Sequence, residues 1–97
     1  MTELALFARI TPKPEHRTRA LAALEGILAP TRAEPGCLRF ELNTGDGDDP
    51  SLYLVEQWRD AAALETHYAQ PYVAEVFAAY ADWLAKPVET VPMRPHA

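Results

Sequence analysis

Hydrophobic and polar residues alternate in four stretches of the chain, and this alternation predicts four β-strands. The predicted strands are residues 3–11, 37–43, 52–58 and 86–91. A strand that buries one face shows this period of two, because successive side chains point to opposite sides of the sheet. Pro87 and Pro92 bound the last stretch. Since proline cannot donate a backbone hydrogen bond, this strand is expected at an edge of the sheet.

Two other regions show the hydrophobic spacing of helices. One helix is predicted from Glu15 to about Ala33, with a bend at Pro30. After the third strand, Asp60 is suited to cap a short helix and Pro71 to begin another. The resulting order, β-α-β-β-α-α-β, predicts an α+β fold of the ferredoxin-like, split βαβ type. Such a fold has an antiparallel four-stranded sheet with helices on one face.

The second face of the predicted sheet also carries apolar residues, among them Phe7, Tyr53 and Val55. A four-stranded sheet with a bare apolar face needs a cover. Two copies of the chain that pack these faces together as a dimeric α/β barrel supply one. The pattern therefore predicts a homodimer.

Composition and charge narrow the classes of partner and the expected location. The chain has 97 residues and fits one domain, predicted over residues 1–92 with a flexible tail at 93–97. A net charge of -5 and a pI of about 5.0 disfavour nucleic acid and anionic membranes as partners. The sequence has a single cysteine, no signal-peptide pattern and no apolar run of about 18 residues. We therefore expect a cytoplasmic protein.

Two stretches resemble the antibiotic biosynthesis monooxygenase (ABM) family. They are TRAEPGCLRFEL at residues 31–42 and LVEQWRDAAALETHYAQPYV at residues 54–73. Together with the first strand, the similarity spans nearly the whole chain. The resemblance implies a dimeric α/β barrel. It leaves the reaction open, because the family includes cofactor-free monooxygenases of phenols and quinols, haem-degrading relatives, an isomerase and members of unknown activity.

His67 is the predicted catalytic residue. Cofactor-free oxygenation requires a substrate that reduces dioxygen once it has lost a proton, so the protein must supply a proton acceptor in a sheltered apolar pocket. Imidazole side chains titrate near neutral pH. His67 lies at the flank of the helical face marked by Leu64 and Tyr68, and it corresponds to the histidine of the family stretch. The alternative is a structural histidine that hydrogen-bonds the neighbouring strand.

Aromatic side chains are expected to form the substrate pocket beside the histidine. These are Trp58, Tyr68, Tyr72, Phe77 and Tyr80. Packing in the core is the alternative for each of them, because buried aromatic residues usually pack first. Glu56 shares the face of Trp58 and is interpreted as an exposed or paired structural acid, with Arg39 or a backbone amide as its candidate partner if it is buried.

Cys37 and the loop at 45–50 are the remaining candidates for chemistry. Cys37 is placed on the same face of its strand as Arg39, and it is interpreted as a structural thiol rather than a nucleophile. The loop carries three aspartates, but it lacks the ligand spacing of a calcium loop and is interpreted as a solvated turn. No metal or other cofactor is therefore expected.

Departures from the family pattern favour one group of its members. Leu54 and Leu64 stand where members that oxidise polyketide phenols have Asn and Tyr, and the first strand lacks the Asn of the haem-degrading branch. The leading hypothesis is a cofactor-independent monooxygenase that uses dioxygen on a small hydroquinone-like or polyphenolic substrate. A non-catalytic ligand-binding or stress-response protein and an isomerase of a small oxygenated metabolite are the alternatives.

Overall fold

Four antiparallel strands pair in a single sheet. In this computed structural model, which describes residues 2–96, they are β1 (Leu4–Ile10), β2 (Cys37–Thr44), β3 (Leu52–Trp58) and β4 (Glu89–Met93). Their order across the sheet is β2-β3-β1-β4. This order confirms the predicted α+β, ferredoxin-like arrangement. The sheet of one chain is open rather than closed into a barrel.

Three helices cover one face of the sheet. They are α1 (Arg17–Arg32), which follows a single 3-10 turn, α2 (Ala61–Tyr68) and α3 (Pro71–Trp83). As predicted, α1 continues past Pro30. The Asp60 carboxylate caps α2 by accepting the Ala63 N–H at 2.8 Å. Pro71 stands in the first turn of α3, where a missing N–H costs nothing. Of the helices within residues 2–96, none is long and apolar enough to cross a membrane.

The hydrophobic core lies between the helices and the inner face of the sheet. Every second residue of β3 is buried, as the alternation predicts, and Trp58 at its end is fully buried. The other buried apolar residues are Leu6, Ala8, Ile10, Ala20, Leu24, Ile27, Phe40, Leu52, Leu54, Ala63, Val73 and Val76. Burial of each large aliphatic or aromatic side chain stabilises the fold by roughly 1.5–3 kcal/mol, and this holds helices and sheet together.

Strand β2 departs from the predicted alternation at Leu38. The alternation places Leu38 with Phe40 on the inner face, but the Leu38 side chain is 51% exposed. The pairing with β3 shifts between Cys37 and Arg39, so Leu38 is an extra residue in a β-bulge. The bulge turns Cys37 towards the core and leaves Arg39 on the outer face. The prediction that these two side chains share a face is therefore wrong.

Strand β4 lies further along the chain than predicted. It is expected at residues 86–91 but pairs with β1 over Glu89–Met93, with Met93 opposite Ala5. It is an edge strand, as its prolines indicate, and an edge tolerates the missing N–H of Pro92. Met93, the first residue of the predicted tail, belongs to the sheet. The flexibility of the tail stays a prediction, and Met1 and Ala97 lie outside the described residues.

The outer face of the sheet is apolar at its centre. Phe7 lies opposite Val55 in the ladder, and the ring centroids of Phe7 and Tyr53 are 5.5 Å apart. On β4, Val91 is 52% exposed and Met93 is 40% exposed. The three helices pack on the opposite side of the sheet. This outer face is the surface for which the sequence predicts a second copy as the cover.

Candidate active site

A small apolar cavity lies between the inner face of the sheet and the helices. Its volume is about 50 Å³. Aliphatic side chains form most of its wall, and the polar and aromatic lining consists of Phe40, Glu56, His67, Tyr68, Phe77, Tyr80 and Thr90. Four of the predicted site residues therefore meet at this cavity. The other two do not line it, because Trp58 packs behind His67 and Tyr72 reaches Glu34 instead.

His67 is buried in the last turn of α2, with 3% of its surface exposed. The periodicity places it at the flank of a face formed by Leu64 and Tyr68. Instead, Ala63 and His67 form the buried face, and Tyr68 is 40% exposed. The cause is a close approach of α2 to the turn before β2, where a Cβ on Gly36 would lie 2.3 Å from that of Ala63. A glycine opposite an alanine lets α2 turn its narrowest face inwards, and His67 lies on that face.

The carboxylate of Glu34 holds the imidazole of His67. Glu34 Oε2 lies 2.8 Å from His67 Nδ1, and the Tyr72 hydroxyl donates to the same oxygen. The Glu34 side chain is 10% exposed, and its Oε1 is buried without a hydrogen-bond partner among the described residues. A carboxylate only accepts hydrogen bonds, so Nδ1 carries the hydrogen. Nε2 is then the nitrogen that can take a proton.

Aromatic rings complete the surroundings of the imidazole. The ring centroid of His67 lies 4.7 Å from that of Trp58 and 5.5 Å from that of Phe40. Together with the bond to Glu34, these ring contacts fix the position of the imidazole at the wall of the cavity.

Tyr72 contacts the carboxylate rather than the cavity. Burial and the hydrogen bond to Glu34 raise the pKa of Tyr72 to about 12. Its phenol therefore keeps its proton at neutral pH and stays a donor. This bond holds the Glu34 carboxylate towards His67, so the geometry supports a positioning role for Tyr72.

Glu56 is the acid in the cavity wall. It is 4% exposed, and its Oε1 accepts a hydrogen bond from Trp58 Nε1 at 3.0 Å. Burial raises the pKa of this carboxyl to about 7, against a smaller lowering by the Trp58 bond. The interpretation of Glu56 as an exposed acid or a partner of Arg39 is wrong. The alternation of β3 turns Glu56 inwards, while Arg39 lies on the outer face with its Nε 3.4 Å from Glu41 Oε1.

The segment that carries Glu34, Glu56 and His67 also matches a known family. Residues 4–79 match the family described as antibiotic biosynthesis monooxygenase (ABM). The chain belongs to the ABM family. Among its relatives is Rv0793 of Mycobacterium tuberculosis, which is named provisionally as a monooxygenase. It is 33% identical over 93 residues, which cover 95% of this chain and 90% of that protein.

Solved structures support the same ABM fold over the whole chain. The structure of Rv0793 matches with a TM-score of 0.93 and 31% identity, over 99% of this chain and 97% of the other. PA3566 from Pseudomonas aeruginosa matches with a TM-score of 0.92 and 34% identity, over 100% and 97% of the two chains. An uncharacterized protein of Synechocystis, sll1783, is 33% identical over 86 residues. This chain spans 58% of the length of that relative.

Glu34 has no signal in the sequence that marks it as part of this site. It precedes a proline and a glycine, as residues of solvated turns do, and its partner His67 is 33 positions away. No local pattern indicates that contact. Glu56 does carry a signal, because it alternates with Leu54 and Trp58 on the inner face of β3. An acid at such a position predicts a buried carboxyl.

Cys37 lies near Glu34 and Glu56 and is half-buried. Burial raises the pKa of its thiol, and the nearby carboxylates of Glu34 and Glu56 raise it further. The thiol stays protonated and is a poor nucleophile. This agrees with its interpretation as a structural thiol. Within residues 2–96, no group of three His, Cys, Asp or Glu side chains is arranged to hold a metal ion.

Proposed function

We propose that this ABM protein is a cofactor-independent monooxygenase that oxidises a small hydroquinone-like or polyphenolic substrate, with His67 as its base. The observation that supports this most is the buried pair of His67 and Glu34 at the wall of an apolar cavity. Deprotonation of a phenol requires a base that is held in its reactive tautomer beside a sheltered space.

Deprotonation makes the substrate its own reductant. His67 takes a phenolic proton, the phenolate passes one electron to dioxygen, and the resulting radical pair combines at a ring carbon. The peroxide then takes the proton back from His67. The hydroperoxide then loses water. One hydrogen of that water comes from the C–H bond of the same carbon, and the carbon is left as a new carbonyl. Hydroquinone and dioxygen thus become hydroxyquinone and water, and all the electrons come from the substrate.

Aromatic side chains shape the space that the substrate ring occupies. Tyr68, Phe77 and Tyr80 form a row along α2 and α3, with successive ring centroids 5.6 and 5.7 Å apart. The cavity of about 50 Å³ is far smaller than the roughly 300 Å³ or more of typical ligand pockets. The substrate is therefore small and displaces side chains as it enters. Phe77 and Tyr68, which are 46% and 40% exposed, can turn outwards to admit it.

The small volume of the cavity also favours a second function, a non-catalytic ligand-binding or stress-response role. In that case the hydrogen bond between His67 and Glu34 only stabilises the fold, and side chains nearly fill the core around it. An isomerase of a small oxygenated metabolite is the third candidate, and it uses the same base without consuming dioxygen. Oxygen consumption separates the first function from the other two.

Oxygen uptake tests the proposal. Chelator-treated wild-type protein is mixed with a panel of hydroquinones and catechols in an oxygen electrode, beside His67→Ala. We expect uptake above the spontaneous rate for the wild type and a loss of about 100-fold or more in the variant, the usual effect of removing a general base. His96→Ala removes an exposed histidine and keeps the wild-type rate. No uptake with any compound, or equal rates in a folded His67→Ala protein, rejects the mechanism and favours the binding role.

We propose that a second copy of the chain covers the outer face of the sheet. The apolar centre formed by Phe7, Tyr53, Val55, Val91 and Met93 supports this, because exposed apolar patches of this kind mark association surfaces. Light scattering at micromolar concentration is expected to give the mass of two chains. Val55→Lys is expected to give one, while Ala74→Lys on an exposed position of α3 stays dimeric. A monomeric wild type contradicts the dimer.

We place the protein in the cytoplasm, because a single cysteine suits a reducing compartment. Fractionation of cells that produce the protein from its own gene measures this. Recovery in the cytosolic fraction is expected, and recovery in the membrane or extracellular fraction contradicts the placement.

A further inference from the structure

A second titratable group faces the cavity beside His67. Glu56 lines the same space and is 4% exposed, and no Lys or Arg among the described residues lines it. Trp58 Nε1 binds Glu56 Oε1 at 3.0 Å, while no described residue hydrogen-bonds Oε2. One oxygen therefore anchors the carboxyl, and the other is left for a molecule in the cavity. The base mechanism above makes no use of this group.

We propose that Glu56 is a second catalytic residue, the general acid that protonates the oxygen leaving the substrate hydroperoxide. This inference rests on the proposed monooxygenase function and supplies the proton donor that the loss of water from the hydroperoxide requires. A hydroperoxide bound with its ring in the cavity places its outer oxygen among apolar walls. Hydroxide is a poor leaving group in such surroundings unless a proton is supplied as the O–O bond breaks.

The step balances with the groups present. His67 removes the C–H proton from the carbon that bears the hydroperoxide, and that electron pair forms the new C=O bond. The O–O bond breaks, and the outer oxygen leaves with its hydrogen and takes the carboxyl proton of Glu56 to form water. The imidazolium and the carboxylate then exchange one proton, which restores both groups for the next turnover.

The surroundings of the two groups suit different roles in proton transfer. Glu34 Oε2 accepts the hydrogen bond of His67 Nδ1, which leaves Nε2 as the nitrogen that can accept a proton. The titratable groups around Glu56 are Cys37, His67, Tyr68 and Tyr80, and burial raises the pKa of its carboxyl to about 7, so the carboxyl carries a proton below that pH. A proton acceptor and a proton donor that face one cavity can serve as base and acid. Activity that depends on protonated Glu56 is therefore lost as the pH rises through about 7.

Glu56→Gln tests the assignment with two independent readouts. The amide keeps an oxygen for Trp58 Nε1 but cannot supply the proton. We expect kcat with a hydroquinone to fall about 100-fold or more while KM changes by only a few-fold, and we expect the alkaline loss of activity near pH 7 to disappear. We also expect the hydroperoxide to decay by losing hydrogen peroxide, so that quinone and hydrogen peroxide replace hydroxyquinone and water as products.

Two control variants show whether the loss of activity in Glu56→Gln comes only from a change of structure. Glu56→Asp keeps an acid and is expected to retain the alkaline loss of activity and water as a product. Glu65→Gln, an exposed position of α2, is expected to match the wild type. If Glu56→Gln keeps the wild-type product ratio and pH profile while His67→Ala is inactive, this inference fails and the base mechanism stands. If the wild type consumes no oxygen, both fail together.

Discussion

Trp58→Ala is expected to lower the free energy of unfolding by about 4 kcal/mol, within the range seen when a buried tryptophan is truncated. Trp58 is fully buried, and its ring centroid lies 6.4 Å from that of Phe40 and 4.7 Å from that of His67. The substitution leaves a cavity, and it also removes the hydrogen-bond donor of Glu56. Since small domains have about 5–15 kcal/mol of stability in total, this is a large fraction of it.

Urea unfolding followed by circular dichroism measures the loss, with two comparison variants. Trp58→Phe keeps most of the packing but lacks the indole N–H, so a smaller loss of about 1–2 kcal/mol is expected. Trp83→Ala removes a half-buried tryptophan from the end of α3, and its cost is expected to be less than half that of Trp58→Ala. A loss below about 2 kcal/mol for Trp58→Ala, or equal losses at the two positions, contradicts the packing described.

Gly36→Ala is expected to destabilise the protein by about 2–3 kcal/mol, the usual cost of forcing an extra methyl group into a packed contact. The new Cβ would lie 2.3 Å from the Cβ of Ala63 and 3.5 Å from its Cα. The contact at 3.5 Å is tolerable, but the Cβ of Ala63 is fixed to the backbone of α2 and cannot rotate aside, so the helix itself must move away. His67 lies one turn further along α2, so the bond between Nδ1 and Glu34 is expected to lengthen and oxygen uptake to fall with it.

A double substitution shows whether the loss of stability comes from the contact between positions 36 and 63 or from some other effect of the added methyl group. Ala63→Gly removes the obstructing Cβ, so the pair of substitutions is expected to be more stable than the sum of the two single changes predicts. Gly26→Ala is the matched control, because a Cβ at this position of α1 meets nothing within 4 Å. It is expected to stabilise the helix by up to about 1 kcal/mol. If the two changes at 36 and 63 prove additive, the steric account of the contact is wrong.

Local chemistry made much of the fold predictable from the sequence. The alternation in β1 and β3, the cap at Asp60 and the proline that opens α3 depend on neighbouring residues, and each lies where the pattern predicts. The exposed Leu38 could not be predicted in this way. A β-bulge is a property of the pairing with β3, and nothing within β2 alone reveals which residue is the extra one.

In the candidate site as well, some features depend on neighbouring residues and others on contacts between residues that are far apart in the sequence. Tyr68, Phe77 and Tyr80, three of the aromatic residues expected around the pocket, line one cavity, but the helical spacing misplaces the inward face of α2. That face is set by the contact between Gly36 and Ala63, which are far apart in the sequence. The carboxylate of Glu34 is equally remote from His67. Residue type therefore indicates which aromatic side chains can line a pocket, while the partners of the histidine are seen only in the folded chain.

In the proposed function, dioxygen supplies one oxygen atom to a substrate at the cavity without a metal or flavin. The most direct test of this oxygen transfer is the reaction of chelator-treated protein with a hydroquinone under ¹⁸O₂, followed by mass spectrometry of the quinone product. A parallel reaction in labelled water corrects for exchange. One atom of ¹⁸O per molecule of product, with labelled water as the second product, is the result that we predict. Product without label, formed with an equal amount of hydrogen peroxide or with no oxygen consumed, would contradict a monooxygenase and identify an oxidase or an isomerase instead.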